Sequence, residues 1–198
     1  MQVLQRIAAT TVEAFAAALV FVPILLILNK FFFRNLKRTL IYCIFAFYLS
    51  AIYAVVGLPT AYNFKFEFFL YLIPLVGMMS DVLNSILNVL LFVPLGFFLP
   101  LLCKSFHKAK NTLLFGFCSS FVIELLQLFA HRKTDVNDLI TNTLGTFFGF
   151  LLASLILKKR TVGVDGSRSE IFAVAAVIFL IMFFAQPLVS AGLFKLLG

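Results

Sequence analysis

Carboxylate, amide and small side chains recur every three or four residues in three stretches of this chain. That spacing places side chains on one face of a helix. The three sets are Asp81, Asn84 and Asn88; then Gly116, Ser120, Glu124, Gln127 and His131; and finally Asp138, Asn142, Gly145 and Gly149. Carboxylates and amides that meet on facing helices can hold a polar ligand or move a proton. The pattern therefore predicts one shared polar site on three helices.

Binding is the first kind of chemistry that these residues fit. Arg132, in the loop between the second and third sets, would hold a carboxylate or a phosphate through a forked contact. The residues that would position the ligand or hydrogen-bond to it are Asn88, Glu124, Gln127 and Asn142. A plainer alternative is that the amides only join helices, at about 0.6 kcal/mol per bond, and that the loop is ordinary solvated surface.

Enzyme catalysis is the second kind, and the sequence leaves it open. Glu124 is the catalytic candidate, as a general acid or base. Asp135 and Asp138 lie one turn apart and would bind a divalent cation that presents a phosphate-bearing lipid. The chain has no Gly-rich phosphate loop, no nucleophile beside a base and no His/Cys metal spacing. We therefore predict no resident metal site and no cofactor.

The composition shows where these helices must lie. Of 198 residues, 63% are apolar and 12% are charged, about half the usual charged share, and the mean hydropathy is +1.09. A soluble enzyme, a secreted disulfide scaffold and a disordered chain are excluded, because a small domain cannot hide so much apolar surface. We predict an all-α fold, a polytopic membrane helix bundle with about five to six transmembrane helices. The candidate stretches are 8–28, 40–58, 85–102, 113–130, 139–157 and 171–193, the last interrupted by Gln186-Pro187 and therefore kinked or re-entrant.

Three regions follow from these stretches. Residues 1–80 contain the N-terminal membrane helices and an interfacial segment, and residues 81–157 form a core of three transmembrane helices. Residues 158–198 form a cytoplasmic linker and a C-terminal membrane helix. The segment 64–76 is apolar but short and carries Lys65, Glu67 and Pro74. It is predicted to be an amphipathic helix that lies on the membrane.

The distribution of basic residues predicts the orientation. The net charge is +8, and most of the 16 basic residues lie in the alternate loops 30–38, 104–110 and 158–170. The positive-inside rule places these loops in the cytoplasm, where they meet lipid head groups; we predict no nucleic-acid partner. The three polar sets then converge in the outer leaflet, under the loop 131–137.

Glu124 lies several residues inside a spanning stretch in this scheme. A lipid-facing carboxylate at that depth is costly. We therefore expect Glu124 to contact Arg132 or the face of the next helix that carries Asp138 and Asn142, rather than lipid.

Two strings resemble the VanZ-like family. Residues 88–100 (NVLLFVPLGFFLP) resemble the start of the family's core, and the residues that resemble its hallmark segment are Glu124, Gln127, Arg132, Asp135, Asp138, Asn142, Gly145 and Gly149. The resemblance covers about residues 84–157. It implies a small multi-helix protein of the bacterial plasma membrane, in a family named for a member linked to low-level resistance to teicoplanin. It implies a phenotype in the cell envelope rather than a reaction. The partners considered are membrane lipids, a cell-wall precursor and the glycopeptide antibiotic itself, and the oligomeric state is not predicted.

Overall fold

The computed structural model describes residues 2–66, 70–71, 82–130, 134–159 and 166–197. Helices make up nearly all of this backbone. The elements are α1 (Gln2–Leu28, extended by a π turn at Asn29–Phe33), α2 (Leu36–Val55), β1 (Leu70–Tyr71), α3 (Val82–Leu102), a 3₁₀ turn (Lys104–His107), α4 (Ala109–Gln127), β2 (Thr134–Asp135), α5 (Val136–Lys159), α6 (Arg168–Leu180, extended by a π turn at Ile181–Ala185) and α7 (Gln186–Leu197). The all-α prediction is confirmed.

Six helices within the described residues are long and apolar enough to cross a membrane. The six spans are Thr11–Phe33, Leu36–Val55, Val82–Leu102, Ala109–Gln127, Val136–Leu157 and Arg168–Gly192. Large apolar side chains remain exposed along them, as expected where lipid replaces water as the solvent. The chain is therefore a multi-span membrane protein.

The sixth span runs through Gln186-Pro187 without a break. Proline has no backbone N–H, so the carbonyl of Phe183, four residues earlier, loses its helical donor. The backbone N–H of Ala61 donates to that carbonyl instead, at 3.0 Å. A π turn precedes the proline, and the N–H of Gln186 bonds to the carbonyl of Ile181. The structure thus has a continuous helix with a π turn at this point, and the predicted kink stays a prediction, since prolines and π turns are ordinary causes of kinks.

The chain divides into two compact units. The terminal unit contains Met1–Phe64 and Ser169–Gly198, and the central unit contains Lys65–Arg168. In the terminal unit the last span packs with the first two spans, and Arg38 of α2 pairs with Glu170 of α6 at 3.0 Å. Tyr42, which is fully buried, donates its hydroxyl to the same carboxylate at 2.6 Å.

The prediction of an interfacial helix at 64–76 is wrong for the part that the structure describes. The backbone of Lys65 forms an isolated parallel β-bridge with Ala130. Leu70–Tyr71 forms a two-residue strand that pairs in parallel with Thr134–Asp135. The N–H of Lys65 donates to the carbonyl of Phe129 at 3.1 Å. The segment is extended because its backbone N–H and C=O groups pair with the backbone of the chain that follows α4. Residues 67–69 and 72–76 lie outside the described residues.

Candidate functional site

The central unit is built on close contact between α3 and α5. A Cβ atom at Gly145 would overlap the carbonyl oxygen of Val89, and one at Gly149 would overlap the carbonyl oxygen of Val93. The two backbones therefore touch, as in small-residue packing of membrane helices. Gly149 follows Gly145 along α5 just as Val93 follows Val89 along α3, so α3 and α5 run parallel. This contact fixes the polar residues of α3 beside those of α5.

Asn88 and Asp138 join these two helices. The amide Nδ2 of Asn88 donates to Oδ1 of Asp138 at 2.7 Å. Asp138 lies in the first turn of α5, where a negative charge is favoured by the helix dipole. The sequence placed both residues in the site, and the structure brings them together.

Glu124, near the end of α4, is the most deeply buried carboxylate among the predicted site residues that the structure describes. Its side chain is 5% exposed. Oε2 accepts the backbone N–H of Asp135 at 2.9 Å, and the hydroxyl of Thr134 donates to the Glu124 carbonyl at 2.9 Å. Because the Glu124 carboxylate lies at the start of α5, it also faces the positive end of the dipole of that helix. Glu124 is therefore buried against polar groups of the chain just before α5. Its contact with the face that carries Asp138 and Asn142 stays a prediction.

Asn142 links α5 to α4, one turn beyond Asp138. It is 4% exposed, and its Nδ2 donates to the hydroxyl of Ser120 at 2.9 Å. Its Oδ1 is buried, and no group in the described part of the chain hydrogen-bonds to it. At the next turn, a Cβ atom at Gly116 would overlap the side chain of Thr146, so α4 and α5 are in contact there too. Gln127 of α4 is 4% exposed.

Asp135 also caps the N-terminus of α5. Its Oδ1 accepts the N–H of Asn137 at 2.9 Å, which is the hydrogen bond of a residue that caps a helix start. Asp135 and Asp138 therefore each accept an N–H donor from the chain. In the described residues no group of three or more His, Cys, Asp or Glu is arranged to hold a metal ion.

Some predicted site residues cannot be placed. Asp81, His131, Arg132 and Lys133 lie outside the described residues, so the predicted contact of Glu124 with Arg132 is not tested. Sequence reasoning did not single out Thr134 or the backbone N–H of Asp135 as partners of Glu124. Every residue except proline has such an N–H, so no pattern of residue types marks this one.

The arrangement as a whole is a set of hydrogen bonds that connect α3, α4 and α5 in pairs. The carboxylates and amides that form it are Asn88, Asp138, Glu124, Asp135 and Asn142, which we call the polar cluster. Carboxylate and amide groups of this kind can hydrogen-bond to a polar ligand.

A protein-family model described as VanZ/LLP1 matches residues 45–157, more than half of the chain. The matched range includes the whole polar cluster. No curated protein and no solved structure matches the chain.

Proposed function

The chain belongs to the VanZ/LLP1 family, and from this premise we propose that it lowers susceptibility to glycopeptide antibiotics such as teicoplanin. In this proposal the protein lies in the bacterial plasma membrane with the polar cluster facing outward. The cluster binds a cell-wall precursor, a lipid head group or the antibiotic itself.

The observation that carries the proposal is the buried carboxylate of Glu124. The helices of the central unit already pack through glycines and through the bond between Asn142 and Ser120. Joining helices therefore does not require a carboxylate, and a carboxylate in a membrane span is costly. Ionisable residues that persist at such positions are by default candidates for function. Arg132, next to the cluster in the chain, would supply the forked contact to an anionic group.

The orientation rests on charge and on contacts at the opposite end of the central unit. There the N–H of Gly166 donates to the carbonyl of Leu102 at 3.0 Å, and the guanidinium of Arg168 lies 5.9 Å from the Phe106 ring. Two of the basic loops thus meet at one end. With a rise of about 1.5 Å per residue, Asn88 lies about 20 Å further along α3, near the other surface. The positive-inside rule then assigns the polar cluster to the outside.

Labelling of single cysteines tests this orientation. With Cys43, Cys103 and Cys118 replaced by alanine, we expect Tyr62→Cys to react with an impermeant maleimide in intact cells, because Tyr62 is 68% exposed beyond the outer end of α2. Lys108→Cys, between α3 and α4, should react only after the membrane is permeabilised. The reverse result would place the polar cluster in the cytoplasm and contradict the proposal.

The function itself is tested by expression in a teicoplanin-sensitive host. We expect cells that express the chain to need a higher teicoplanin concentration for inhibition than cells with the empty vector. A third strain expresses an unrelated membrane protein of similar size from the same vector, as a control for the load of expression. Equal inhibition in all three strains, with the chain present in the membrane, would overturn the proposed function.

A further inference from the structure

The turn between α1 and α2 presents basic and aromatic side chains together. Phe31 is 62% exposed and Phe32 is 74% exposed, and Lys30, Arg34 and Lys37 are exposed beside them. We call these five residues the basic turn. It comprises the end of the span Thr11–Phe33, the start of the span Leu36–Val55 and the residues that join them, so it must lie at a membrane surface.

The charge of the basic turn is not balanced within its unit. The sequence of the terminal unit contains two acidic residues, Glu13 and Glu170. Glu170 pairs with Arg38 at 3.0 Å and accepts the hydroxyl of Tyr42 at 2.6 Å. Glu13 lies far along α1, about 25 Å from Lys30 at a rise of about 1.5 Å per residue. The three cations of the basic turn therefore present a net positive surface.

The backbone of the basic turn is fixed by side-chain hydrogen bonds. Oδ1 of Asn29 accepts the N–H of Asn35 at 3.0 Å and the hydroxyl of Thr39 at 2.8 Å. Arg34 has a φ of 48°, and its N–H donates to the carbonyl of Asn29 at 2.8 Å. Asn35 in turn caps α2 through the N–H of Arg38 at 3.1 Å. The backbone that carries these cations is thus ordered before any ligand arrives, which reduces the entropy lost on binding.

We propose that the basic turn binds the head groups of anionic phospholipids. Exposed rings next to cations are unfavourable in water, but they match a membrane interface, where rings enter the acyl boundary and cations meet phosphates. The loop between α3 and α4 provides a comparison. It also has three exposed lysines, Lys104, Lys108 and Lys110, but its ring, Phe106, is 3% exposed. Charge alone would make the two loops equivalent, whereas the proposal makes them different.

The thermal stability of the full chain in lipid nanodiscs tests the proposal. We expect phosphatidylglycerol, added to phosphatidylcholine nanodiscs, to raise the Tm of the wild type, because a ligand that binds the folded state stabilises it. The variant K30Q/R34Q/K37Q should lose most of this shift, and the matched variant K104Q/K108Q/K110Q should keep it. Arg34→Gln alone removes one charge and should lose part of the shift, so the test stands even if the triple variant does not accumulate.

Two further conditions identify the ligand. Raised salt should reduce the wild-type shift, because it screens the exposed charges. Inorganic phosphate with phosphatidylcholine nanodiscs should not reproduce the shift, because it has no membrane interface to offer the rings. The proposal is overturned if the wild type shows no shift, if the two triple variants lose it equally, if Arg34→Gln keeps all of it, or if free phosphate is sufficient.

Discussion

Gly145→Ala should strongly destabilise the protein although it adds one methyl group. In a helix this substitution ordinarily stabilises by about 1 kcal/mol. Here the new Cβ atom would overlap the carbonyl oxygen of Val89, which is backbone and cannot rotate away. The helices α3 and α5 would have to separate, at a cost of about 3 kcal/mol. The expected result is a much lower Tm for the purified chain, with little folded protein in the membrane.

Gly192→Ala is the matched control. A Cβ atom at Gly192 in α7 would meet no atom within 4 Å, so the same substitution should leave the Tm unchanged or raise it slightly. Gly96→Ala should behave like Gly145→Ala, since its Cβ would overlap the carbonyl oxygen of Thr146. Wild-type stability in both Gly145→Ala and Gly96→Ala would show that α3 and α5 do not pack backbone to backbone.

Glu124→Gln should abolish teicoplanin tolerance and leave the amount of protein in the membrane near normal. The glutamine Oε1 can still accept the N–H of Asp135, which Glu124 accepts at 2.9 Å, so the fold loses little. The negative charge is lost, and with it the recognition that we assign to the polar cluster. Asp138→Asn and Arg132→Lys should have the same effect. Asp138→Asn removes a negative charge, and Arg132→Lys removes the forked guanidinium that would hold an anionic group.

The matched control for Glu124→Gln is the same substitution in the other unit, at Glu170. Glu170 pairs with Arg38 in the terminal unit and has no part in the polar cluster. Glu170→Gln should therefore keep its tolerance per molecule of folded protein, even where it lowers the amount of protein. If Glu124→Gln kept full tolerance, or lost it only in proportion to abundance, the cluster would be structural.

Hydropathy and helical spacing were sufficient to predict most of the fold and much of the cluster. The spans are long apolar runs, and residues such as Asp138 and Asn142 share a face because they lie one turn apart. Each of these inferences depends on local sequence.

The features that the sequence did not predict depend on contacts between distant parts of the chain. Leu70 and Tyr71 are extended because Thr134 and Asp135 pair with them, and a two-residue strand has no local signal. The helix continues through Pro187 because Ala61 satisfies the carbonyl of Phe183. Ala61 is distant from Pro187 in the sequence, so the residues around the proline do not indicate this donor.

The most direct test of the polar cluster is native mass spectrometry of the purified full chain. Lipid-linked peptidoglycan precursor, phosphatidylethanolamine and teicoplanin would be offered separately to the wild type, to Glu124→Gln and to Glu170→Gln. Our account predicts that at least one of these molecules binds to the wild type and to Glu170→Gln, and that its binding to Glu124→Gln is lost. Equal binding of that molecule to Glu124→Gln, or no binding of any of the three to the wild type, would contradict the account.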